Sequence, residues 1–333
     1  MEDVHFATGA RTDGRSDVIG PTGPQMTKVL VLGAGGLVGR SITQLLESSF
    51  ESRVVALDRS DCNVLDEAQI QCALQRYRPD AIINAAGFVP VDRAEADPEN
   101  SYRLNFLAPL VIARAIRNLD GTSVLFHLSS DFVFDGMSGN YDEETARARP
   151  LSYYGLHKSA ADGALGFAHE QSYVLRIASY MALVANKKNF LCNMLGLLAS
   201  GNELAIVDDL QISLTTDLLL ARTIHHLMKM RPPFGVYNVV SQDSTTWLGL
   251  FSSAASDLGF GDHLKFVRPC TIEKMPGSAL RPRHSQLNVA KLGRNAPCLM
   301  AGWRELVAEH CCHHRKEYRQ MWDERVRDMR QSA

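Results

Sequence analysis

The sequence predicts an α/β fold in which a doubly wound parallel sheet is followed by a smaller C-terminal domain. Two observations predict it. Apolar strands alternate with amphipathic helices from residue 28 onward, and the connections between them are short. Strands are expected near 28–33, 53–57, 80–84, 122–129 and 173–177, with long helices over 98–117 and 152–170. Repeated β-α units of this kind place parallel strands in one sheet with helices on both faces.

The first strand runs into a glycine-rich turn. The run TKVLVLGAGGLVGR carries Gly33, Gly36 and Gly39, and the helical segment SITQLLESSF follows it. The first glycine permits a tight turn, the second lets the backbone approach a pyrophosphate, and the third lets the helix pack closely on the strand. The pattern predicts a Rossmann-type NAD(P) site, and Leu37 within this turn is expected to contact the cofactor.

The second strand indicates which cofactor the site accepts. The run RVVAL ends in Asp58 and Arg59. An acid at this place usually binds the ribose hydroxyls of NADH, whereas an arginine can bind the 2′-phosphate of NADPH. Both cofactors therefore remain open, and the arginine favours NADPH.

A tyrosine and a lysine are the candidate catalytic residues. Tyr154 and Lys158 lie four residues apart in the run YYGLHK, shortly after HLSSDFVFDG. On a helix this spacing puts both side chains on one face, where the ammonium is expected to lower the pKa of the phenol. A tyrosine of this kind can donate or accept a proton, so the pattern indicates carbonyl/alcohol redox chemistry.

The chain resembles the extended short-chain dehydrogenases and, among them, the dTDP-4-dehydrorhamnose reductases. The glycine turn carries this resemblance together with the runs RPDAIINAAGFVPVDRAEADPENSYRLN, HLSSDFVFDG, YDEETARARPLSYYGLHK, GVYNVVSQDSTTW and ALRPRHSQLNVAKLG. The resemblance implies NAD(P)H-dependent reduction of the 4-keto group of a nucleotide-activated 6-deoxyhexose. Hydride would come from the nicotinamide and a proton from Tyr154, with a nucleotide-diphosphate sugar as substrate.

Two other functions remain open within the same superfamily. One is a nucleotide-sugar epimerase or dehydratase, which returns the hydride within its own cycle. The other is a non-catalytic NADP-binding regulatory subunit like the beta subunit of methionine adenosyltransferase, which shares the ALRPRHSQL-type segment.

The resemblance also assigns roles to further residues. Catalytic roles fall to Ser130, Tyr154 and Lys158, with Ser130 donating to the substrate carbonyl. Cofactor contacts are expected from Gly33, Gly36, Leu37, Gly39, Asp58, Arg59, Asn84, Ala85, Ala86, Asn105, Tyr154 and Lys158. Substrate contacts are expected from Ser130, Asp131, Asn189 and Arg281, with Arg283 as a second candidate for phosphate. Capping of a turn or helix is the alternative role for Asn84, Asn105 and Asp131, and a surface salt bridge for the arginines.

Two segments depart from the reductase pattern. The family's arginine-threonine-serine-tryptophan run appears here as Arg176-Ile-Ala-Ser-Tyr180, without the tryptophan. The stretch 208–215 lacks the usual proline. Both departures fall where the family shapes its sugar pocket, so the reaction class is better supported than the sugar.

The domain division follows from the same pattern. The expected parts are a flexible extension over 1–26, an NAD(P)-binding Rossmann domain over 27–176 with a returning segment near 207–231, and a substrate domain formed mainly by 177–206 and 232–333. The oligomeric state is left open, a homodimer included.

Composition excludes several classes of partner. The chain has 35 Lys and Arg against 37 Asp and Glu, which argues against a nucleic-acid surface. No uncharged apolar run reaches the roughly twenty residues of a membrane span. Seven cysteines without regular spacing indicate free thiols and a cytoplasmic location. The run Cys311-Cys312-His313-His314 is expected to be a solvated helix end, with no metal site, because adjacent helical residues point in different directions.

Overall fold

The computed structural model describes residues 26–50, 52–119, 121–183, 189–274 and 277–332. Of the expected extension over 1–26, residues 1–25 lie outside this part. The strands are β1 Lys28–Leu32, β2 Arg53–Leu57, β3 Ala81–Asn84, β4 Val124–Ser130, β5 Ser172–Ile177, β6 Leu204–Val207, β7 Gly235–Asn238 and β8 Val267–Cys270. The α-helices are α1 Leu37–Ser49, α2 Glu67–Tyr77, α3 Val91–Ala96, α4 Pro98–Tyr102, α5 Ala108–Leu119, α6 Tyr153–Ala168, α7 Phe190–Ala199, α8 Asp217–Met230, α9 Trp247–Leu258, α10 Ala290–Asn295, α11 Trp303–His313 and α12 Arg315–Ser332.

The main sheet has six strands in the order β2-β1-β3-β4-β5-β7, and all of its neighbours pair in parallel. This confirms the predicted fold class. The chain leaves β1 first toward β2 and then returns to its other side with β3, so the winding direction reverses between β1 and β3. In doubly wound sheets a reversal opens a crevice at the carboxyl ends of the strands, where ligands bind.

The strands read as continuous apolar runs because helices cover both faces. On one face Val29 and Val31 pack with α1 and α8, and on the other Leu30 and Leu32 pack with α2 and α5. Residues 29–32 are at most 1% exposed. Burying each such side chain contributes about 1.5–3 kcal/mol. This apolar core makes β1 a rigid base for the turn that follows it.

The expected helix over 98–117 is interrupted. Between α4 and α5 the residues Arg103–Leu107 form a π turn. Such turns insert an extra residue into a helix and often occur at functional sites. Periodicity alone could not show this, because the flanking helices keep their apolar faces.

The C-terminal part contains a second, two-stranded parallel sheet of β6 and β8, with α7, α9, α11 and α12 packed in the same part of the fold. It also supplies β7 to the main sheet. The domain division itself stays a prediction. No helix in the described part of the chain is both long enough and apolar enough to cross a membrane.

The end of α11 differs from expectation. Cys312 and His313 are exposed, but Cys311 is fully buried and His314 contacts the buried Asp217. The prediction of a solvated helix end was therefore wrong for Cys311 and His314. The reason is that α12 continues the chain and packs its Tyr318 against the same region, which the sequence pattern did not reveal.

Candidate active site

The glycine-rich turn joins β1 to α1 at the carboxyl edge of the sheet. Gly33 has a φ of +79°, and a Cβ there would lie 2.5 Å from the nitrogen of Ala86. A Cβ on Gly39 would lie 2.4 Å from the Gly33 carbonyl oxygen. At Gly36, just before Leu37 starts α1, the nearest atom to a Cβ would be that same oxygen at 3.4 Å. The turn is thus tight where it packs and roomier before the helix, which fits a pyrophosphate at the helix N-terminus.

Asp58 and Arg59 follow β2 beside this turn. The Asp58 carboxylate accepts hydrogen bonds from the Ser60 hydroxyl at 2.6 Å and the Ser60 nitrogen at 2.7 Å. These bonds lower the pKa of Asp58. A Cβ on Gly35 would lie 3.3 Å from the Asp58 Cβ, and Arg59 is exposed next to it. An acid, a hydroxyl and an arginine therefore all border the place expected for the adenosine ribose.

The turn after β3 presents two small residues. Asn84 is fully buried, accepts a hydrogen bond from the Ala86 nitrogen at 3.1 Å, and lies 3.2 Å from His127 Nδ1 through its own Nδ2. Ala85 and Ala86 are half-buried at the edge of the crevice. Their methyl groups and backbone form the surface available to a cofactor, and the buried Asn84 side chain stabilises this turn through its hydrogen bond with the Ala86 nitrogen.

The π turn directs Asn105 inward. Its side chain is fully buried, accepts a hydrogen bond from the Phe88 nitrogen at 3.0 Å and donates to the Phe88 oxygen at 3.2 Å. A Cβ on Gly87 would lie 3.2 Å from Asn105 Oδ1 and 3.7 Å from Lys158 Nζ. Asn105 therefore fixes the segment after β3 next to Lys158. A cofactor would contact this segment, and the buried Asn105 side chain would act by positioning it.

Ser130 ends β4 and begins a short 3₁₀ turn. Its hydroxyl donates to the Asp131 carboxylate at 3.0 Å and accepts from the Phe132 nitrogen at 3.2 Å. Burial raises the pKa of Asp131 to about 6, although hydrogen bonds with Ser285 and Ser130 lower it in part. The three polar side chains form one buried chain that includes the predicted catalytic serine.

Helix α6 lies directly against this turn. Ser152 caps the helix by accepting a hydrogen bond from the Gly155 nitrogen at 3.1 Å. A Cβ on Gly155 would lie 2.1 Å from the Phe132 carbonyl oxygen, so only glycine permits this approach. The contact brings the buried Tyr154 next to Ser130, whose hydroxyl acts to lower the pKa of the phenol.

The expected lowering of the Tyr154 pKa by Lys158 was wrong. Burial raises the pKa of Tyr154 to about 12, and the neighbouring Ser130 hydroxyl offsets only part of this. Lys158 Nζ donates instead to the Leu128 carbonyl oxygen at 2.7 Å, and burial lowers the pKa of Lys158 to about 8. The phenol is consequently protonated at neutral pH, as a proton donor must be.

A buried ion pair lies one helical turn beyond the lysine. Asp162 accepts a hydrogen bond from Arg176 Nε at 2.9 Å, and both side chains are less than 10% exposed. Asp162 also raises the pKa of Lys158 against the effect of burial. The carboxylate thereby lowers the cost of burying two cations under the site.

A cavity of about 430 Å³ opens beside the Ser130 turn. Asp131 lines it on the sheet side, and Phe190 and Trp247 line it with ring centroids 4.4 Å apart. Lys274 and Arg281 also reach the cavity. The cavity combines an aromatic wall with two cations, which suits a ligand that carries both a ring and phosphates.

The two candidate arginines have different environments. Arg281 lines the cavity and forms an ion pair with Asp92 at 2.6 Å, which ties this segment to α3. Arg283 is more exposed and pairs with Glu273 and with Asp209 at 3.7 Å. Only Arg281 is therefore placed for a phosphate, and Arg283 forms surface salt bridges.

Asn189 has a different role from the predicted one. It caps α7 by accepting a hydrogen bond from the Cys192 nitrogen at 2.8 Å and donates to the Ala182 oxygen. It does not line the cavity, whereas its neighbour Phe190 does. The helix cap occupies its amide, so the predicted substrate contact is not supported by this geometry.

Residues 26–315 match the family model described as RmlD substrate binding domain. The chain belongs to the RmlD family. A dTDP-4-dehydrorhamnose reductase of Streptomyces griseus is 31% identical over 285 residues, covering 84% of this chain and 91% of the relative. Another, from Aggregatibacter actinomycetemcomitans, is 27% identical over 300 residues, covering 85% of this chain and 97% of the relative.

Solved structures show the same fold. The dTDP-4-dehydrorhamnose reductase of Clostridium acetobutylicum superposes with a TM-score of 0.76 at 24% identity, covering 85% of this chain and 98% of its own. That of Bacillus anthracis, solved in complex with NADP, gives 0.77 at 23% identity, covering 87% and 100%. The fold is therefore that of RmlD proteins over nearly their whole length.

The departures from the RmlD pattern have a structural consequence. Tyr180, near the missing tryptophan, is directed toward α1 and lies 2.7 Å from the Ser41 hydroxyl through its own hydroxyl. Trp247 of α9 supplies an indole to the cavity wall instead. Trp247 and Ser285 were not singled out from the sequence, although both lie in runs that carry the resemblance; only tertiary contacts reveal their position.

Proposed function

We propose that this protein uses NADPH to reduce the 4-keto group of a nucleotide-activated 6-deoxyhexose, as its dTDP-4-dehydrorhamnose reductase relatives are named to do. The observation that carries the proposal is the buried Tyr154, which lies next to Ser130 and one helical turn from Lys158, beside a cavity with an aromatic wall. A protonated phenol held next to a serine hydroxyl is suited to a carbonyl oxygen that gains negative charge.

The residues around the glycine turn fit a dinucleotide. Gly33 and Gly39 are packed too tightly for any side chain, and the backbone before α1 is accessible for phosphate oxygens. Arg59 and the Ser60 hydroxyl would face a 2′-phosphate, which favours NADPH, and the ionised Asp58 would favour NADH. NADPH is proposed because a cation and a hydroxyl lie beside the single acid.

The reaction divides between the cofactor and the chain. When bound, the nicotinamide supplies the hydride to carbon 4 of the sugar. Tyr154 donates its phenolic proton to the carbonyl oxygen, and Ser130 orients that oxygen by a hydrogen bond. Lys158, held by the Leu128 carbonyl, is available to the ribose and to the phenolate that forms. Asp162 balances the charge of Lys158 within the buried site.

The cavity supports a nucleoside diphosphate sugar. Phe190 and Trp247 offer a stacking surface for a base, and Arg281 and Lys274 offer positive charge to the diphosphate. The sugar would then extend toward Asp131 and the Ser130 turn. Neither a dehydratase or epimerase nor a non-catalytic subunit is proposed, since the most similar relatives include several named reductases.

The test follows NADPH absorbance with dTDP-4-dehydrorhamnose, prepared in place from the 4-keto-6-deoxyglucose nucleotide by an epimerase. We expect oxidation that depends on both the sugar and Tyr154, and a lower kcat/KM with NADH than with NADPH. Cofactor binding without oxidation would refute the proposal for this sugar and favour another keto substrate or a regulatory role.

Location and assembly remain proposals as well. All seven cysteines are free, which supports a reducing compartment and hence the cytoplasm. A homodimer stays a prediction.

A further inference from the structure

Three residues of metal-binding types, one aspartate and two histidines, converge away from the proposed catalytic residues. Asp217 begins α8, His310 lies in α11, and His314 lies at the junction of α11 and α12. Asp217 Oδ1 is 3.0 Å from His310 Nδ1, and Asp217 Oδ2 is 3.0 Å from His314 Nε2. One possible ligand atom from each residue lies within 4.8 Å of the others. The set is built from one carboxylate and an i, i+4 histidine pair.

The separations suit a small metal ion. Zinc binds histidine nitrogen and carboxylate oxygen at about 2.0–2.2 Å in tetrahedral geometry, which spaces neighbouring ligand atoms by roughly 3.3 Å. The two histidine–carboxylate separations of 3.0 Å end on different oxygens of Asp217 and would open by a few tenths of an ångström. The three ligand atoms together lie within 4.8 Å, so the most widely separated pair would have to close on binding. The cluster is also shielded, because Asp217 and His310 are at most 1% exposed. His314 is 13% exposed and leaves a route for an ion and a water molecule.

A supporting residue orients the set. His310 Nε2 lies 3.0 Å from the hydroxyl of Tyr318, a fully buried residue of α12. A tyrosine hydroxyl can donate to or accept from this nitrogen, so it serves either imidazole tautomer. When Nδ1 binds a metal, the proton on His310 moves to Nε2 and is still hydrogen-bonded. Metal-binding histidines usually have such an outer partner.

We propose that Asp217, His310 and His314 bind one zinc-type divalent transition metal ion, with a water molecule as the fourth ligand. The ligand types select zinc, cobalt or nickel over magnesium or calcium, which prefer oxygen. The ion would join α8 to the α11–α12 junction. Residues 316–332 of α12 lie beyond the RmlD family match, so the site would fasten this additional helix to the shared fold.

The test uses cobalt(II) as a visible probe and the tag-free full chain after removal of metals with a chelator. We expect one cobalt per chain, visible absorption typical of tetrahedral coordination, displacement by one equivalent of zinc, and a zinc-dependent rise in melting temperature. His314→Gln removes the accessible ligand and should weaken binding at least about tenfold, since even outer partners are worth 10–100-fold. The matched control is His313→Gln, because His313 is the adjacent exposed imidazole and should leave affinity unchanged.

Three outcomes would overturn the proposal. If the wild-type chain bound no stoichiometric cobalt or zinc, the three residues would form only a hydrogen-bonded cluster. Equal loss in both variants, or loss only in His313→Gln, would assign the ion to surface groups. Circular dichroism of metal-free His314→Gln guards against misfolding, and a second variant, Asp217→Asn, should lose binding while keeping a hydrogen-bonding side chain. NADPH binding serves as an independent check, because none of the three ligands belongs to the proposed reductase site.

Discussion

Replacing Asp131 with asparagine should stabilise the protein at neutral pH. The carboxyl is 4% exposed, and burial raises its pKa to about 6 from an ordinary value of 3.8. The folded protein therefore binds more protons than the unfolded chain between these two values, so stability falls as pH rises through this window. At 1.36 kcal/mol per pKa unit, the raised pKa of Asp131 lowers the free energy of unfolding, relative to low pH, by about 3 kcal/mol at pH 7.5 and about 1 kcal/mol at pH 4.5.

The asparagine also changes hydrogen bonding. Ser130 donates a hydrogen bond to the carboxylate and the Ser285 hydroxyl also acts to lower its pKa, and an amide oxygen replaces the carboxylate less well, at a cost of about 1 kcal/mol. The net expectation is a gain of about 2 kcal/mol at pH 7.5 that shrinks to about zero at pH 4.5. Urea unfolding of both proteins at the two pH values measures the difference.

Asp135→Asn is the matched control. The Asp135 carboxylate accepts a hydrogen bond from the Tyr141 hydroxyl at 2.8 Å, which lowers its pKa. Its ionised form therefore contributes stability at neutral pH that is lost as pH falls, so this variant should be destabilised more at pH 7.5 than at pH 4.5. An Asp131→Asn protein that is less stable than wild type at pH 7.5, or shifted equally at both pH values, would refute the reasoning.

Three further substitutions test the site. Gly155→Ala puts a Cβ 2.1 Å from the Phe132 oxygen, so α6 must move. Thermal melting should show a loss of about 1–3 kcal/mol in the free energy of unfolding, and turnover assays should show at least a tenfold loss in kcat. Unchanged kinetics would contradict this. Lys158→Met keeps the buried stem without the amine; fluorescence titration should show weaker NADPH binding, whereas the stability should stay equal or rise because a desolvated charge is gone. Arg281→Ala should raise KM for the nucleotide sugar without changing NADPH affinity, and Arg283→Ala should change neither; equal effects of the two would mean that the cavity was misassigned.

The strands were the most predictable feature. β2 spans residues 53–57 as expected, and the glycine turn after β1 has the predicted tight geometry at Gly33 and Gly39. Both depend on local patterns: an apolar run bounded by polar residues, and glycines at positions that allow no side chain. The π turn was not predictable, because the insertion of one residue leaves the apolar face of the flanking helices intact.

In the candidate active site, too, local sequence patterns identified residues, whereas tertiary contacts determined their properties. The proximity of Tyr154 to Ser130 follows from α6 packing on the turn after β4, and the sequence indicated the residues but not the pKa of the phenol. That pKa depends on burial and on the direction of the Lys158 ammonium toward Leu128, which are tertiary properties. Arg281 and Arg283 lie two residues apart, yet their partners come from distant segments, so no local pattern could separate them.

Two features of the structure have a local signal in the sequence. Asn189 precedes an apolar helix, which is a common position for a capping residue. His310 precedes His314 by four residues, a spacing that places both on one helical face. Asp217, which completes that cluster, lies 93 residues earlier than His310 and could not be linked to it from the sequence.

The most direct measurement follows the label from NADPH deuterated at carbon 4 of the nicotinamide, using dTDP-4-dehydrorhamnose and product analysis by mass spectrometry and NMR. The two hydrogen positions on carbon 4, one on each face of the nicotinamide ring, should be labelled in separate reactions. We expect one of them to deliver a single deuterium to carbon 4 of the hexose, and Tyr154→Phe, still binding NADPH, to form this product at least about a thousandfold more slowly. Label at another carbon, or turnover in Tyr154→Phe equal to wild type, would contradict it.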